Sequence, residues 1–240
     1  MRTLSIRWEA VHRYGEAWIS HHRLRYRMFV ERQGWSVPHY QDMEYDEFDT
    51  PAATYILVVD EHDQALGTAR LIPTTRPYMV KSLWPNLVEG LLPHSDAVWE
   101  ASRFGCDRAL SAGGRRRVIG QLIQACQEFG LANGISSYLG VMPSWIFKNV
   151  IAAHGCPVRP LGAKLPLQGH DIGAAYIGVS SAILELVRQH TGVPKALHES
   201  LSPVEPVPSA LSPRLAVDAP SEPAEGLACS PDLEGLVGVG

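Results

Sequence analysis

The 240-residue chain reads as an α/β protein, a mixed β-sheet with helices packed on its faces. Two observations predict that class. Two runs rich in β-branched and aromatic residues, 54–60 (TYILVVD) and 67–72 (GTARLI), flank the turn EHDQ and so predict a hairpin. In the second half, strand and helix patterns alternate, which implies helices lying across a sheet that the hairpin makes mixed. With 45% hydrophobic and 19% charged residues, the chain can bury one sizeable core.

Taken in order, residues 14–32 predict a helix. Trp18, Ile19, His22, Tyr26, Phe29 and Val30 recur at spacings of three and four, with arginines largely between them. Gly34 and Pro38 end it, and the acidic run that follows is expected to be extended or loop-like. After the hairpin, Pro73 to Pro77 interrupts the pattern, and 78–91 reads as a short helix plus loop. Residues 97–104 (AVWEASRF) form a third strand. Ser111-Ala112-Gly113-Gly114 then leads into a helix over 115–129, with the stripe Val118, Ile119, Leu122, Ile123, Cys126 and Phe129 and a stop at Gly130. A strand over 135–142, a helix over 145–153 and a strand over 174–179 complete the order. From Pro194 the chain turns rich in Pro, Ser, Ala and acid with no apolar period. This divides it into a folded domain, 1–193, and an expected disordered tail, 194–240.

A formal net charge of -4 argues against a dedicated nucleic-acid binder. Much of that charge lies in the tail, where Lys195 and Arg214 face seven acids (Glu199, Glu205, Asp218, Glu222, Glu225, Asp232 and Glu234), so the body is close to neutral. Cys106, Cys126, Cys156 and Cys229 show no CxxC or metal-ligand spacing and predict free thiols in a reducing cytosol. The N-terminal stretch lacks the apolar run of a signal peptide, and no stretch approaches the ~18 consecutive apolar residues of a membrane span. A cytoplasmic protein with no membrane or nucleic-acid partner is expected. There is no Walker A, GxGxxG, GxSxG or HExxH motif, and the acidic run lacks the central glycine and closing glutamate of an EF-hand. No metal is expected.

The informative residues are charges in awkward places. Asp42, Glu44, Asp46, Glu47 and Asp49 repel one another unless solvated, paired with cations or given a cationic ligand. Arg23, Arg25 and Arg27 just upstream are one set of partners, and a positively charged substrate is another. Arg70 interrupts an apolar strand and calls for a partner. Glu100 and Arg103 interrupt the third strand three residues apart. That spacing places them on opposite faces unless a bulge or twist intervenes. The set reads either as a buried ion network that fixes the fold or as a binding site.

The series Arg25, Phe29, Trp35, then Glu44, Asp46, Asp49, then Arg70, then Glu100-x-x-Arg103 resembles the acyl-homoserine lactone synthases (LuxI-type autoinducer synthases). It is carried by RYRMFVERQGW, YDEFDT, ARLIPTTRPYM and WEASRF, in that family's order and separations, over roughly residues 20 to 180. The resemblance implies a three-layer α/β/α sandwich with a mixed central sheet, similar to the GCN5-related N-acetyltransferases, with a cleft where strands splay apart. It implies synthesis of an N-acyl-L-homoserine lactone quorum-sensing signal from S-adenosylmethionine and an acyl thioester. Acyl carrier protein is the favoured carrier and coenzyme A the other. S-adenosylmethionine is then a substrate and no cofactor is needed.

On that resemblance, Asp46, Asp49 and Arg70 would hold the sulfonium substrate, with the arginine facing its carboxylate. Phe29 and Trp35 would wall the pocket. Arg25 would order the N-terminal segment, and Arg103 would hold the carboxylate network. The amine must lose a proton to attack the thioester. Glu44 is the first choice of base and Glu100 the second, with Asp46 beside them. Acyl carrier protein is acidic, so its dock should be basic. Arg115, Arg116 and Arg117 open a helix suited to a pantetheine phosphate, and Lys148, Arg159 and Lys164 extend the patch. Trp84, Leu122, Met142, Trp145, Ile146 and Phe147 are the acyl-channel candidates. Two departures stand out: Trp84 replaces the family's frequent phenylalanine, and GVMPSW lacks the threonine common in synthases of 3-oxo chains. An acyl group without a 3-oxo function is therefore expected, and the bulk of Met142 and Trp145 suggests a short, branched or aromatic one. The alternative is an acyl-CoA-dependent N-acyltransferase of the same fold acting on another small amine, and a non-catalytic sensor is a third reading.

Overall fold

The computed structural model describes residues 1–167 and 169–199. In chain order they form β1 (Arg2–Arg7), α1 (Gly15–Arg25) continuing as a π-helical turn (Tyr26–Glu31), β2 (His39–Tyr40), β3 (Met43–Glu44), β4 (Thr54–Val59), β5 (Ala65–Pro73) and α2 (Met79–Leu83). There follow β6 (Val98–Cys106), α3 (Ala112–Ala132), β7 (Ser137–Pro143), α4 (Ser144–Ile146) continuing as a second π-helical turn (Phe147–Ile151), β8 (Val158–Pro160), β9 (Leu165–Leu167), β10 (His170–Gly178), α5 (Ser181–Thr191) and β11 (Leu197–Glu199).

The main sheet runs β11-β1-β4-β5-β6-β7-β10-β8, with β9 also paired to β10. It is mixed: β4–β5 is the expected hairpin, whereas β6 and β7 run parallel across the α3 crossover. Strand β4 is buried along its whole length, which is why its sequence is apolar throughout rather than alternating. Tyr55, Leu57 and Val59 join the core beneath α1 and α2, while Ile56 and Val58 join the core beneath α3 and α5. Two cores on opposite faces of one sheet make the three-layer sandwich.

Helix α3 begins where Ser111 Oγ accepts the Gly114 N–H at 3.1 Å, a side-chain N-cap. Its apolar stripe lies hard on the sheet. A Cβ placed on Gly67 would stand 2.5 Å from Val118 Cγ1 and 2.9 Å from Leu122 Cδ1, so only glycine admits this approach.

Several elements were absent from the sequence expectation, among them the short strands β2, β3, β8 and β9 and three that complete the sandwich. Strand β1 pairs with β4, helix α5 is capped by Ser180 Oγ and stopped by Gly192 at φ +68°, and β11 lies parallel to β1 with Leu197 opposite Thr3. The Glu128 carboxylate anchors β11 by accepting from the backbone N–H groups of Ala196 and Leu197, at 3.0 and 2.7 Å. Folded structure therefore reaches at least Glu199 rather than closing at 193. Residues 200–240 of the expected tail lie outside the described residues, as does Cys229. Cys106, Cys126 and Cys156 are free thiols. Among the described residues, no helix is long and apolar enough to cross a membrane.

Candidate active site

The site lies where β6 and β7 part. Their pairing ends with Glu100 opposite Leu139, and beyond it the strands diverge. At the same level β6 carries one extra residue relative to β5, because Thr68 faces Gly105 while Arg70 faces Ser102. Arg103 sits in this bulge at φ +51°, a left-handed conformation uncommon outside glycine. The bulge turns its side chain onto the face already occupied by Arg70 and Glu100. This is the irregularity that their three-residue spacing required.

On that face three arginines and three carboxylates close a ring. Arg25 meets Glu44, Glu44 meets Arg103 at 2.9 Å, Arg103 meets Asp46 at 2.6 Å, Asp46 meets Arg70, Arg70 meets Asp49 at 2.9 Å, and Asp49 meets Arg25 at 2.7 Å. Five segments supply its members. Arg25 ends α1, Glu44 ends β3, Arg70 lies mid-β5 and Arg103 on β6. Asp46 and Asp49 belong to a turn in which the Asp46 N–H donates to Asp49 Oδ2 and the Phe48 N–H to Asp46 Oδ1. Asp42 and Glu47 of the same acidic run are exposed and stay outside the ring.

Burial alone would raise the Asp49 and Asp46 carboxyls, but the neighbouring guanidiniums overcome it and hold both below the usual carboxylate range. Burial opposes the charge on Arg25 and Arg70 too, yet their carboxylate partners push both guanidiniums above the ordinary arginine value. The Tyr55 hydroxyl donates to Asp49 Oδ1 at 2.6 Å, and burial with that anion drives its pKa upward. His22 Nδ1–H donates to the Glu44 carbonyl at 2.9 Å, and burial lowers the imidazole to about 4.

Glu100 is the exception. It is buried, its Oε2 accepts the Val80 N–H at 2.7 Å, and its Oε1 has no hydrogen-bond partner. Desolvation raises its pKa despite the Val80 contact and the field of Arg70.

Beside the ring runs a narrow cleft of about 70 Å³ between β6 and β7, lined by Phe29, Trp35, Met79, Trp84, Arg103 and Met142 among others. The rings of Phe29 and Trp35 stack 4.9 Å apart at 11°, and the Arg103 guanidinium lies over Phe29. The π-helical turn makes this possible, since the Trp35 N–H donates to the Phe29 carbonyl at 3.0 Å and folds the chain back over it.

The residues expected from the sequence thus fall into groups. Phe29, Trp35, Trp84, Arg103, Met142 and Ile146 line the cleft together. Asp46, Asp49 and Arg70, expected to meet substrate, meet one another here. Arg70 is wholly buried, with its donors taken up by Ser102, Asp46 and Asp49. Glu44 has both oxygens held by guanidiniums, Oε2 by Arg25 and Oε1 by Arg103. Of the acyl candidates, Leu122 packs in the α3 core, Trp145 is surface-exposed and Phe147 lines a separate hollow, because each points away from the splay.

The expected basic patch divides in two. Arg115 and Arg116 line a hollow of about 270 Å³ with Arg32 and Arg108, while Lys148 and Lys164 line the Phe147 hollow and Arg159 lies over Tyr176. Arg117 is exposed. Sequence reasoning missed Ser102, Met79, Tyr55, Arg32 and Arg108. Ser102, Met79 and Arg32 stood inside the motifs already singled out, so proximity was an available signal for them.

A profile of the autoinducer synthase family matches residues 12–187. The acyl-homoserine-lactone synthase of Acinetobacter nosocomialis is 29% identical over 162 residues, which are 65% of this chain and 88% of that protein. The isovaleryl-homoserine lactone synthase of Bradyrhizobium diazoefficiens is 30% identical over 191 residues, 78% and 84% of the two lengths. Among solved structures, the CoA-dependent acyl-homoserine lactone synthase BjaI with MTA matches at TM-score 0.76 and 28% identity, over 83% of this chain and 93% of that one. The same synthase with SAM and isopentyl-CoA matches equally well.

Proposed function

Because this chain belongs to the autoinducer synthase family and is an acyltransferase of the acyl-homoserine-lactone synthase kind, we propose that it joins the amine of S-adenosylmethionine to an acyl group drawn from a phosphopantetheine thioester. The amine forms a bond to the thioester carbonyl carbon, the carbon–sulfur bond breaks, and the carrier leaves as a thiol. The substrate carboxylate then attacks its own γ-carbon. The carbon–sulfonium bond breaks with its electrons passing to sulfur, and methylthioadenosine departs neutral beside the lactone.

One observation carries the assignment of roles: Glu100 is the buried carboxyl with an unpartnered oxygen, next in the strand to the cleft-lining Ala101 and Ser102, while Glu44 is clamped between two guanidiniums. A base needs a free lone pair and a pKa raised toward its working pH, and Glu100 has both. Glu100, rather than Glu44, takes the amine proton. Ser102, which lines the cleft and whose hydroxyl interacts with Glu100, stands between the two.

The ring's six charges cancel. Attraction for the sulfonium therefore falls to ionised Glu100 and to the aromatic faces of Phe29, Trp35 and Trp84. Arg103 is the ring member that reaches the cleft, and among the described residues its Nη1 meets nothing stronger than the Met79 thioether, at 3.5 Å. That nitrogen suits the substrate carboxylate. Arg32, Arg108, Arg115 and Arg116 would take the pantetheine phosphate, since their hollow shares Phe104 and Ile146 with the cleft. Such a hollow serves coenzyme A or a carrier-protein arm. The CoA-dependent synthase BjaI, solved also with SAM and isopentyl-CoA, favours CoA as the first donor to try.

The test is incubation with S-adenosylmethionine and matched acyl-CoA and acyl-carrier-protein donors, with mass detection of lactone and methylthioadenosine. Both products must appear together. Thiol release without methylthioadenosine would instead identify an ordinary N-acyltransferase.

A further inference from the structure

Past Glu100 and Leu139, no backbone hydrogen bonds join β6 to β7, and the gap is closed by side chains. Met142 does most of this. Gly140, two residues earlier on the same strand, has no Cβ, and the Met142 Cε lies 3.3 Å from where one would stand, with the Ala101 carbonyl oxygen 3.7 Å from the same point. The thioether therefore lies folded over Gly140 and across to β6.

Different spaces lie on the two sides of Met142. Outward is the cleft beside Arg103. Inward is a second cavity of about 40 Å³, walled by Ile123, Cys126, Tyr138, Ile151 and Cys156. The Tyr138 hydroxyl is turned away to donate to the Cys126 carbonyl at 2.6 Å, so the inner cavity is largely apolar. The two spaces share Ala101, Phe104 and Met142 as their common wall. Alanine is too small to divide them, so the partition consists of Met142 braced by Phe104.

Resting on the acyltransferase reading above, we propose that Met142 is the stop that limits acyl length. The native donor carries a short or branched acyl group that ends against the thioether, and the inner cavity is the extension a longer chain fills once residue 142 is small. Glycine at 140 is part of the device, because a Cβ there would crowd the Met142 methyl, which lies 3.3 Å from its place.

The experiment compares kcat/KM for butanoyl, hexanoyl, octanoyl and decanoyl thioesters in the wild type and in Met142→Ala, reading thiol release in the presence of S-adenosylmethionine. The wild type should favour the shortest chains. Met142→Ala should raise the octanoyl-to-butanoyl ratio by about 10-fold or more, the discrimination expected for a methylene or more in an apolar slot. Adding Cys126→Met to Met142→Ala refills the cavity and should reverse the gain. Should Met142→Ala fail the circular-dichroism check for folding, the milder Met142→Val supplies the same comparison, with a smaller shift in the same direction. A wild type that prefers decanoyl, or a folded variant with an unchanged ratio, would overturn the stop while leaving the acyltransferase reading in place. No thiol release from any donor would overturn both.

Discussion

Arg103 donates through both Nε and Nη2 to one oxygen of Glu44, at 3.1 and 2.9 Å, while Arg25 Nε holds the other. Glu44 is therefore the bridge between two fully or nearly buried guanidiniums. Removing one partner of a buried ion pair leaves an uncompensated charge, at roughly 3–5 kcal/mol. Glu44→Gln is expected to lower the unfolding free energy in urea by that order. If it unfolded like the wild type, the ring would not be the structural support described above.

Glu100→Gln should behave in the opposite way. A buried carboxyl whose pKa is raised on folding favours the folded state while protonated, and that contribution fades as pH rises through the folded value. The amide variant should thus be at least as stable as the wild type near neutrality. Its kcat should nevertheless fall by about 10²–10⁴-fold, as for a lost general base. Wild-type kcat/KM should rise with pH through a pKa above the ordinary glutamate value, and the variant should lose that limb.

Acid should unfold the protein in two stages. His22 ionises at about 4 in the fold against an ordinary value near 6.5, so the folded state binds fewer protons between those limits. Its stabilisation is complete above about 6.5 and is lost as pH falls toward 4, a change of roughly 3 kcal/mol from a shift of that size. Asp46 and Asp49, held low by arginines, contribute fully above the unfolded aspartate value near 3.9 and lose their contribution below it. Denaturation curves from pH 7 to 3 should show both windows, and His22→Phe should shrink the upper one to the share of His21, whose imidazole burial also holds low.

The C-terminal boundary can be measured directly. Ala196 and Leu197 are buried and held by Glu128. Full burial of one leucine is worth about 1.5–3 kcal/mol. A chain ending at Pro194 should therefore melt several degrees below one ending at Glu199. Equal melting temperatures would show that β11 adds nothing.

Trp35→Ala removes one of two stacked rings at the cleft wall. If that wall binds the sulfonium substrate as a ground-state contact, KM for S-adenosylmethionine should rise by about 10-fold with kcat little changed. A fall in kcat at constant KM would instead place the indole in the transition state.

The sequence alone specified β4, β5, β6 and the stripe of α3, because those elements are declared by local composition and period. Helix α5 is equally legible in Ser180, Ile183, Leu184, Val187 and Gly192, a cap, an apolar stripe and a glycine stop. Strand β11 was not legible, since three residues have no period and their partner, β1, lies at the other end of the chain. The ordered series from Arg25 to Arg103 was also enough to mark the family, because it depends on residue identity and spacing.

Partnership was decided only in three dimensions. One side chain, Arg103, enters the ring through a bulge that adds a residue to β6; the spacing in WEASRF calls for an irregularity if Glu100 and Arg103 share a face, but not for its place in the strand. Asp46, Asp49 and Arg70, scattered in the sequence, are folded against one another in a largely dry interior. Glu100 instead keeps one carboxylate oxygen without a hydrogen bond, which is why it is the base we propose. Charges so close settle their roles by distance and burial, and a linear string of residues contains neither.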